Sequence, residues 1–149
     1  MNNMSILSAE RIQLNAVAAD RTDAIRKAGD LLVKSGCVLP EYVDGMLKRE
    51  TTMSTYLGSG VAIPHGVYEN KDHILQTGIS ALQLPQGVEW DEGGEPVYLV
   101  IGIAASTDEH VGVLASLAEA VEDENILNEM IHATDPEIIL KHLGKEPAA

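Results

Sequence analysis

A nearly continuous apolar run over residues 97–105 (VYLVIGIAA) constrains the fold of this chain more than any other segment. A strand that is apolar on both sides must be covered on both faces, which is typical of a central strand in an α/β sheet. Further strands are predicted at residues 12–14, 61–63 and 78–84, from short apolar or partly alternating runs. The sequence therefore predicts a sheet that needs helices on both of its faces.

Two helices are predicted between the first two strands. Asp20 or Thr22 can cap the first helix, which ends near Gly36. Pro40 suits the first position of the second helix, which continues to about residue 51. Arg49 then lies near the C-terminal end of that helix, where the helix dipole favours a cation.

Beyond residue 105 the apolar residues take helical spacing. The tetrapeptide at residues 106–109 (STDE) has the form of a capping box before one helix, and further helices are predicted near 124–133 and after Pro136. This order predicts an α/β layered sandwich with a mixed, mostly parallel sheet of about five strands, flanked by helices on both faces. We expect one domain over residues 1–149, with an ordered core at about 6–143.

The formal charge of −13 argues against binding to nucleic acids or anionic membranes, because both require a basic protein face. It is compatible with a basic protein partner. Cys37 is the only cysteine, so no internal disulfide can form, and we interpret it as a small buried side chain. With no secretory signal and no apolar stretch of about 18 residues, we expect a cytoplasmic location and no membrane insertion.

The clearest chemical signal is His65, in the segment 60–66 (GVAIPHG). An apolar strand stops at Pro64, which lacks an N–H and cannot extend an inner ladder. The imidazole is therefore predicted at the mouth of a strand, and neutral imidazole is a nucleophile. Gly66 has no side chain, so a partner could approach closely there.

A second histidine, His110, falls in the first turn of the helix predicted after the central strand. Free N–H groups at such a helix start attract anions, including phosphate. The other three histidines are interpreted as structural or surface residues: His73, His132 and His142. No Ser/Asp pair suggests a triad near His65, no phosphate-binding loop with its lysine is present, and no ligand spacing supports a metal site.

At this point the chain resembles a known family. The segment 55–66 (TYLGSGVAIPHG) looks like the phosphorylation motif of the mannitol/fructose class of enzyme IIA, in the bacterial phosphoenolpyruvate-dependent sugar phosphotransferase system. Residues 108–118 (DEHVGVLASLA) are similar to that family's second histidine segment and narrow the resemblance toward the mannitol type. Lys48-Arg49-Glu50 matches an Arg-Glu pair that precedes the motif. The resemblance covers roughly residues 6–143.

The resemblance implies a phosphoryl carrier. The general carrier HPr would phosphorylate His65 on Nε2, and His65 would pass the group to a cysteine of a sugar-specific enzyme IIB. That enzyme IIB would lie on a separate chain, with a membrane enzyme IIC. His110 would bond the phosphoryl oxygens or orient the acceptor, and Arg49 would neutralise developing charge. No cofactor and no metal is implied, and mannitol is the expected sugar.

Two other functions are compatible with the same residues. One is a regulatory, nitrogen-type enzyme IIA, which binds target proteins according to its phosphorylation state. The other is a binding module without catalysis, in which His65 is a pH-sensitive surface residue. Onward phosphoryl transfer separates the carrier from the regulator, and uptake of phosphate separates both from the binding module.

Overall fold

The structure is a computed structural model that describes residues 6–105 and 107–143, and within them the side chains of all residues except 68, 69 and 107–111. Five strands form one sheet: β1 (Ile12–Gln13), β2 (Tyr56–Gly58), β3 (Val61–Ala62), β4 (Gly78–Glu89) and β5 (Pro96–Ala104). Five α-helices accompany them: α1 (Arg21–Lys34), α2 (Glu41–Thr52), α3 (Thr107–Glu122), α4 (Glu124–Ile131) and α5 (Pro136–Leu143). Short 3-10 helices lie at Ala9–Arg11 and Tyr68–His73.

The strand order is β1-β4-β5-β3-β2, so the apolar run predicted as a central strand is the middle strand, β5. The predicted α/β class with a mixed sheet of five strands is confirmed. The predicted majority of parallel pairs is wrong: β1–β4 and β3–β5 are parallel, whereas β4–β5 and β2–β3 are antiparallel. The reason is that β4 and β5, like β2 and β3, are consecutive strands joined by short connections, which favour antiparallel pairing.

Helices cover both faces of the sheet, as predicted. On one face, α1 and α2 pack on Ala62, Leu82 and Val100 through residues such as Ile25 and Met46. On the other face, α3, α4 and α5 pack on a second cluster that includes these strand residues: Val61, Ile79, Leu99, Ile101 and Ile103. Buried side chains on both sides of β5 explain why its sequence is apolar almost without interruption.

The helix ends follow the predicted caps closely. The Asp20 side chain accepts a hydrogen bond from the Asp23 N–H, and Gly36 follows α1 with a φ of 83°. Pro40 is the N-cap of α2 rather than its first residue. The proposed capping box at 106–109 lies outside the residues whose side chains are described. None of the helices in the described part of the chain has the length and apolar character that a bilayer crossing requires.

Candidate functional site

His65 lies where β3 gives way to a loop, beside the end of the central strand. The Ile103 N–H donates to the Pro64 carbonyl at 3.0 Å, and His65 pairs with Ile103 in parallel fashion. Pro64 lacks a donor but keeps its acceptor, so the ladder continues past the proline at one more position. This differs from the expectation that Pro64 would end the pairing, and it ties His65 to the sheet.

The imidazole of His65 is half-buried and has a defined tautomer. Its Nδ1 lies 2.8 Å from the Ile63 carbonyl oxygen. A carbonyl oxygen can only accept, so Nδ1 carries the proton and the lone pair of the neutral ring is on Nε2. The local turn of the chain therefore leaves Nε2 as the ring nitrogen that carries the lone pair.

The surroundings of His65 favour its neutral form. Burial lowers the pKa of His65 most strongly, and the positive charge of Arg49 lowers it further. The hydrogen bond to Ile63 and the negative charge of Glu50 act in the opposite direction without cancelling the effect. At neutral pH the lowered pKa therefore keeps the imidazole in its neutral form.

Arg49 is brought to the same site by the last turn of α2. The guanidinium Nη1 donates to the Met53 carbonyl at 2.6 Å, which closes the C-terminal end of the helix. The side chain is only half-buried, and its positive charge disfavours protonation of the His65 imidazole. The last turn of α2 thus supplies a positive charge to the electrostatic environment of His65.

Glu50 is a buried carboxylate that supports the strand leading to His65. One oxygen accepts from the Thr55 N–H at 2.6 Å and from the Trp90 Nε1–H at 3.0 Å, and the other accepts from the Thr55 hydroxyl at 2.7 Å. The Thr55 carbonyl in turn accepts from the Ile63 N–H at 3.0 Å. Glu50 therefore holds, through Thr55, the residue that orients the imidazole.

Tyr42, on the first turn of α2, was missed by the sequence reasoning. Its hydroxyl accepts from the Gly66 N–H at 2.9 Å and donates to the Ile103 carbonyl at 2.7 Å. A Cβ on Gly66 would lie 2.7 Å from the Tyr42 ring, so the glycine makes room for this tyrosine rather than for a partner. One signal was available: Tyr42 lies seven residues before Arg49, two helical turns away on the same face.

The structure describes the other four histidines to different extents. The backbone of His110 lies in the first turn of α3, which begins four residues after Ile103, but its side chain is outside the described residues. His132 bonds the Asn128 carbonyl at the end of α4, and His142 contacts Glu129, which confirms their structural interpretation. His73 is half-buried with a buried Nδ1, so the prediction of a solvated surface residue is wrong for it.

A separate cleft of about 500 Å³ lies at the other end of β3, away from His65. Ser59, Gly60, Tyr98 and His132 are among its lining residues. Ser59 and Gly60 belong to the tight turn between β2 and β3, in which residues 58–60 all have positive φ values. Among the described side chains, no three His, Cys, Asp or Glu residues cluster as metal ligands.

Several known proteins are similar to this chain. The family model described as phosphoenolpyruvate-dependent sugar phosphotransferase system, EIIA 2, matches residues 5–146. A mannitol-specific EIICBA component of the phosphotransferase system from Escherichia coli is 45% identical over 143 residues, which are 95% of this chain and 22% of that protein. The chain thus spans about a fifth of the length of that relative.

Two solved structures have the same fold. The crystal structure of IIA mannitol from Escherichia coli is 46% identical, with a TM-score of 0.86 over 92% of this chain and 98% of that chain. A complex of enzyme IIAMTL with phosphorylated enzyme IIBMTL from Escherichia coli is 45% identical, with a TM-score of 0.86 over 92% and 96% of the two chains.

Proposed function

The chain belongs to the EIIA 2 family of the phosphoenolpyruvate-dependent sugar phosphotransferase system, and on that premise we propose that Nε2 of His65 carries a phosphoryl group between two protein partners. As a member of this family the chain is a phosphotransferase component. One observation carries the proposal: the Nδ1–H bond to the Ile63 carbonyl leaves the nucleophilic lone pair on Nε2.

The uptake step transfers the phosphoryl group from a phosphohistidine of the carrier HPr. The Nε2 lone pair forms the new N–P bond in line, while the old N–P bond breaks and its electron pair returns to the donor nitrogen. Arg49 neutralises the charge on the three equatorial oxygens. Nδ1 keeps its proton, which is hydrogen-bonded to the Ile63 carbonyl. The phosphorylated ring is therefore cationic and remains a good leaving group.

The delivery step passes the phosphoryl group to a cysteine thiolate of an enzyme IIB. The thiolate attacks phosphorus, the N–P bond of His65 breaks, and the neutral imidazole is restored. Two exposed apolar side chains adjoin the residues of the site: Met53, whose carbonyl accepts from Arg49, and Val67, which follows Gly66 in the sequence. Exposed apolar side chains of this kind suit contact with a protein partner. The sugar we propose is mannitol, because the 45% identical relative is named as mannitol-specific.

We propose that His110 bonds the phosphoryl oxygens or orients the acceptor, because its backbone lies in the first turn of α3, the helix that follows β5. His110→Ala should still accept phosphate but alter onward transfer or the lifetime of the phosphorylated form. Equal kinetics in both steps would make His110 a structural residue.

Cytoplasm is the proposed location, since the single cysteine leaves no disulfide to form and the proposed donor and acceptor face the cytoplasm.

The test is labelling by phosphoenolpyruvate with enzyme I and HPr. We expect stoichiometric labelling of the unmodified chain, none of His65→Ala, and normal labelling of the matched control His132→Ala, whose imidazole is exposed. Labelling of His65→Ala at the normal level would overturn the assignment. A chain that is labelled but delivers nothing to a panel of enzyme IIB domains would instead support the regulatory alternative.

A further inference from the structure

We propose that Tyr42 is a positioning residue, whose hydroxyl fixes the loop at His65 relative to the helix that carries Arg49. The proposal rests on the proposed role of His65. Tyr42 is only 2% exposed. Its hydroxyl bonds the N–H of Gly66, the residue after His65, and the carbonyl of Ile103, the strand partner of His65. It contacts neither the imidazole nor the transferred group in these bonds, so its effect is exerted through the backbone.

The hydroxyl completes the last rung of the β3–β5 ladder. In a parallel pair centred on His65 and Ile103, one rung runs from the Ile103 N–H to the Pro64 carbonyl, and this bond is present at 3.0 Å. The complementary rung joins the Gly66 N–H to the Ile103 carbonyl. Here that rung passes through the phenol, at 2.9 Å and 2.7 Å on its two sides. The loop is thus held slightly apart from β5 by one oxygen atom.

This arrangement connects the helix that carries Arg49 with the loop that carries His65. Tyr42 and Arg49 are seven residues apart on α2, which places them two turns apart on one face of the helix. Because the phenol is bonded to the loop, any shift of α2 displaces both the guanidinium and the backbone around His65. Glu50, on the same helix, holds the other side of the loop through Thr55.

Packing around Gly66 supports the assignment. A Cβ there would meet the Tyr42 ring at 2.7 Å and the Asn70 Oδ1 at 3.0 Å. The ring therefore fills the space beside the loop. Burial raises the pKa of Tyr42 to about 12, which keeps the hydroxyl a proton donor to Ile103 at every working pH.

The chain offers a matched pair of tyrosines for a test. Tyr56 also accepts from a glycine N–H, that of Gly60 at 3.2 Å, and its hydroxyl donates to the exposed Glu95 carboxylate at 3.2 Å. Tyr42→Phe and Tyr56→Phe remove the same atom from the two ends of β3. For Tyr42→Phe we expect the single-turnover rate of phosphoryl uptake at saturating phospho-HPr to fall about 10- to 100-fold, as misplacement of reacting groups does.

Two further readouts separate positioning from mere stability. In the folded, unphosphorylated Tyr42→Phe variant, the ¹⁵N resonances and titration of His65 should differ from those of the unmodified chain, and the apparent affinity for phospho-HPr should stay within threefold. Tyr56→Phe should match the unmodified chain in all of these. A Tyr42→Phe rate within twofold of normal overturns the proposal. A slower rate with an unchanged His65 spectrum also overturns it.

The unmodified chain provides a measurement that does not depend on the variant folding. If Tyr42→Phe does not fold, hydrogen exchange decides: the Gly66 amide should be protected to an extent similar to the Ile103 amide. Exchange of the Gly66 amide at the rate of an open loop overturns the proposal. If phospho-HPr fails to label the unmodified chain, the proposed function fails, yet the His65 spectra and the exchange of Gly66 still decide the role of Tyr42.

Discussion

Replacing Glu50 by alanine should lower the free energy of unfolding by about 4 kcal/mol, because two buried N–H groups each lose their acceptor at a cost of about 1–3 kcal/mol. The groups are the Thr55 amide and the Trp90 indole, in residues that are 5% and 3% exposed. The Thr55 hydroxyl loses its partner as well but can rotate. The midpoint of thermal unfolding should fall by roughly 8–16 °C for a chain of this size.

Glu50→Gln should cost less, about 1–2 kcal/mol, because the amide oxygen can still accept from both N–H groups and only the charge-assisted part of each bond is lost. The amide NH₂ then faces the Thr55 hydroxyl, which can accept. A matched control on the same helix is Asp44→Asn, where an exposed carboxylate should change stability by less than about 0.5 kcal/mol.

Urea unfolding followed by circular dichroism and by the fluorescence of Trp90, the only tryptophan, measures all three variants. The expected order of stability is unmodified chain, Asp44→Asn, Glu50→Gln, then Glu50→Ala. Loss of less than 1 kcal/mol in Glu50→Ala, or a Gln variant no more stable than the Ala variant, would refute the view that this carboxylate holds the strand before His65. Because the Glu50 charge raises the pKa of His65, Glu50→Gln should also lower that pKa in an NMR titration.

Three further outcomes are expected. Phosphoryl uptake should fall as pH drops through the lowered pKa of His65, with a midpoint below about 6.5. Because His65 is harder to protonate in the folded chain than in the unfolded chain, it contributes stability above about pH 6.5 that is lost as the pH falls. A midpoint of the uptake rate above pH 6.5 would contradict both statements. Gly66→Ala should lose about 1–3 kcal/mol of stability from the clash with Tyr42, and an unchanged urea midpoint would disprove that clash. Association with HPr should slow as ionic strength rises, given the charge of −13; association rates independent of salt would exclude steering.

Much of the fold could be predicted because its signals are local. The run at 97–105 is apolar on both sides and became β5, and Asp20 and Gly36 mark the two ends of α1 by cap chemistry that needs no tertiary context. His65 was recognisable because a strand, a proline and a glycine are adjacent in the sequence.

The parts that could not be predicted depend on distant contacts. β2 has only three residues, and β4 continues through Pro85 and Gly87, which are turn residues by composition. The sequence does not show that β5 pairs with this irregular segment across a bulge. The bonds of the Tyr42 hydroxyl were equally hidden, since they join residues 42, 66 and 103, which become neighbours only in the folded sheet.

The central claim is that the Ile63 carbonyl selects Nε2 of His65 as the phosphoryl-carrying nitrogen. The most direct measurement is ³¹P and ¹⁵N NMR of the chain phosphorylated by HPr, with ¹⁵N-labelled histidine. The structure predicts a single phosphohistidine, at His65, with the N–P bond on Nε2 and a proton retained on Nδ1. A phosphoryl group on Nδ1 of His65, or on any other residue, would contradict the account.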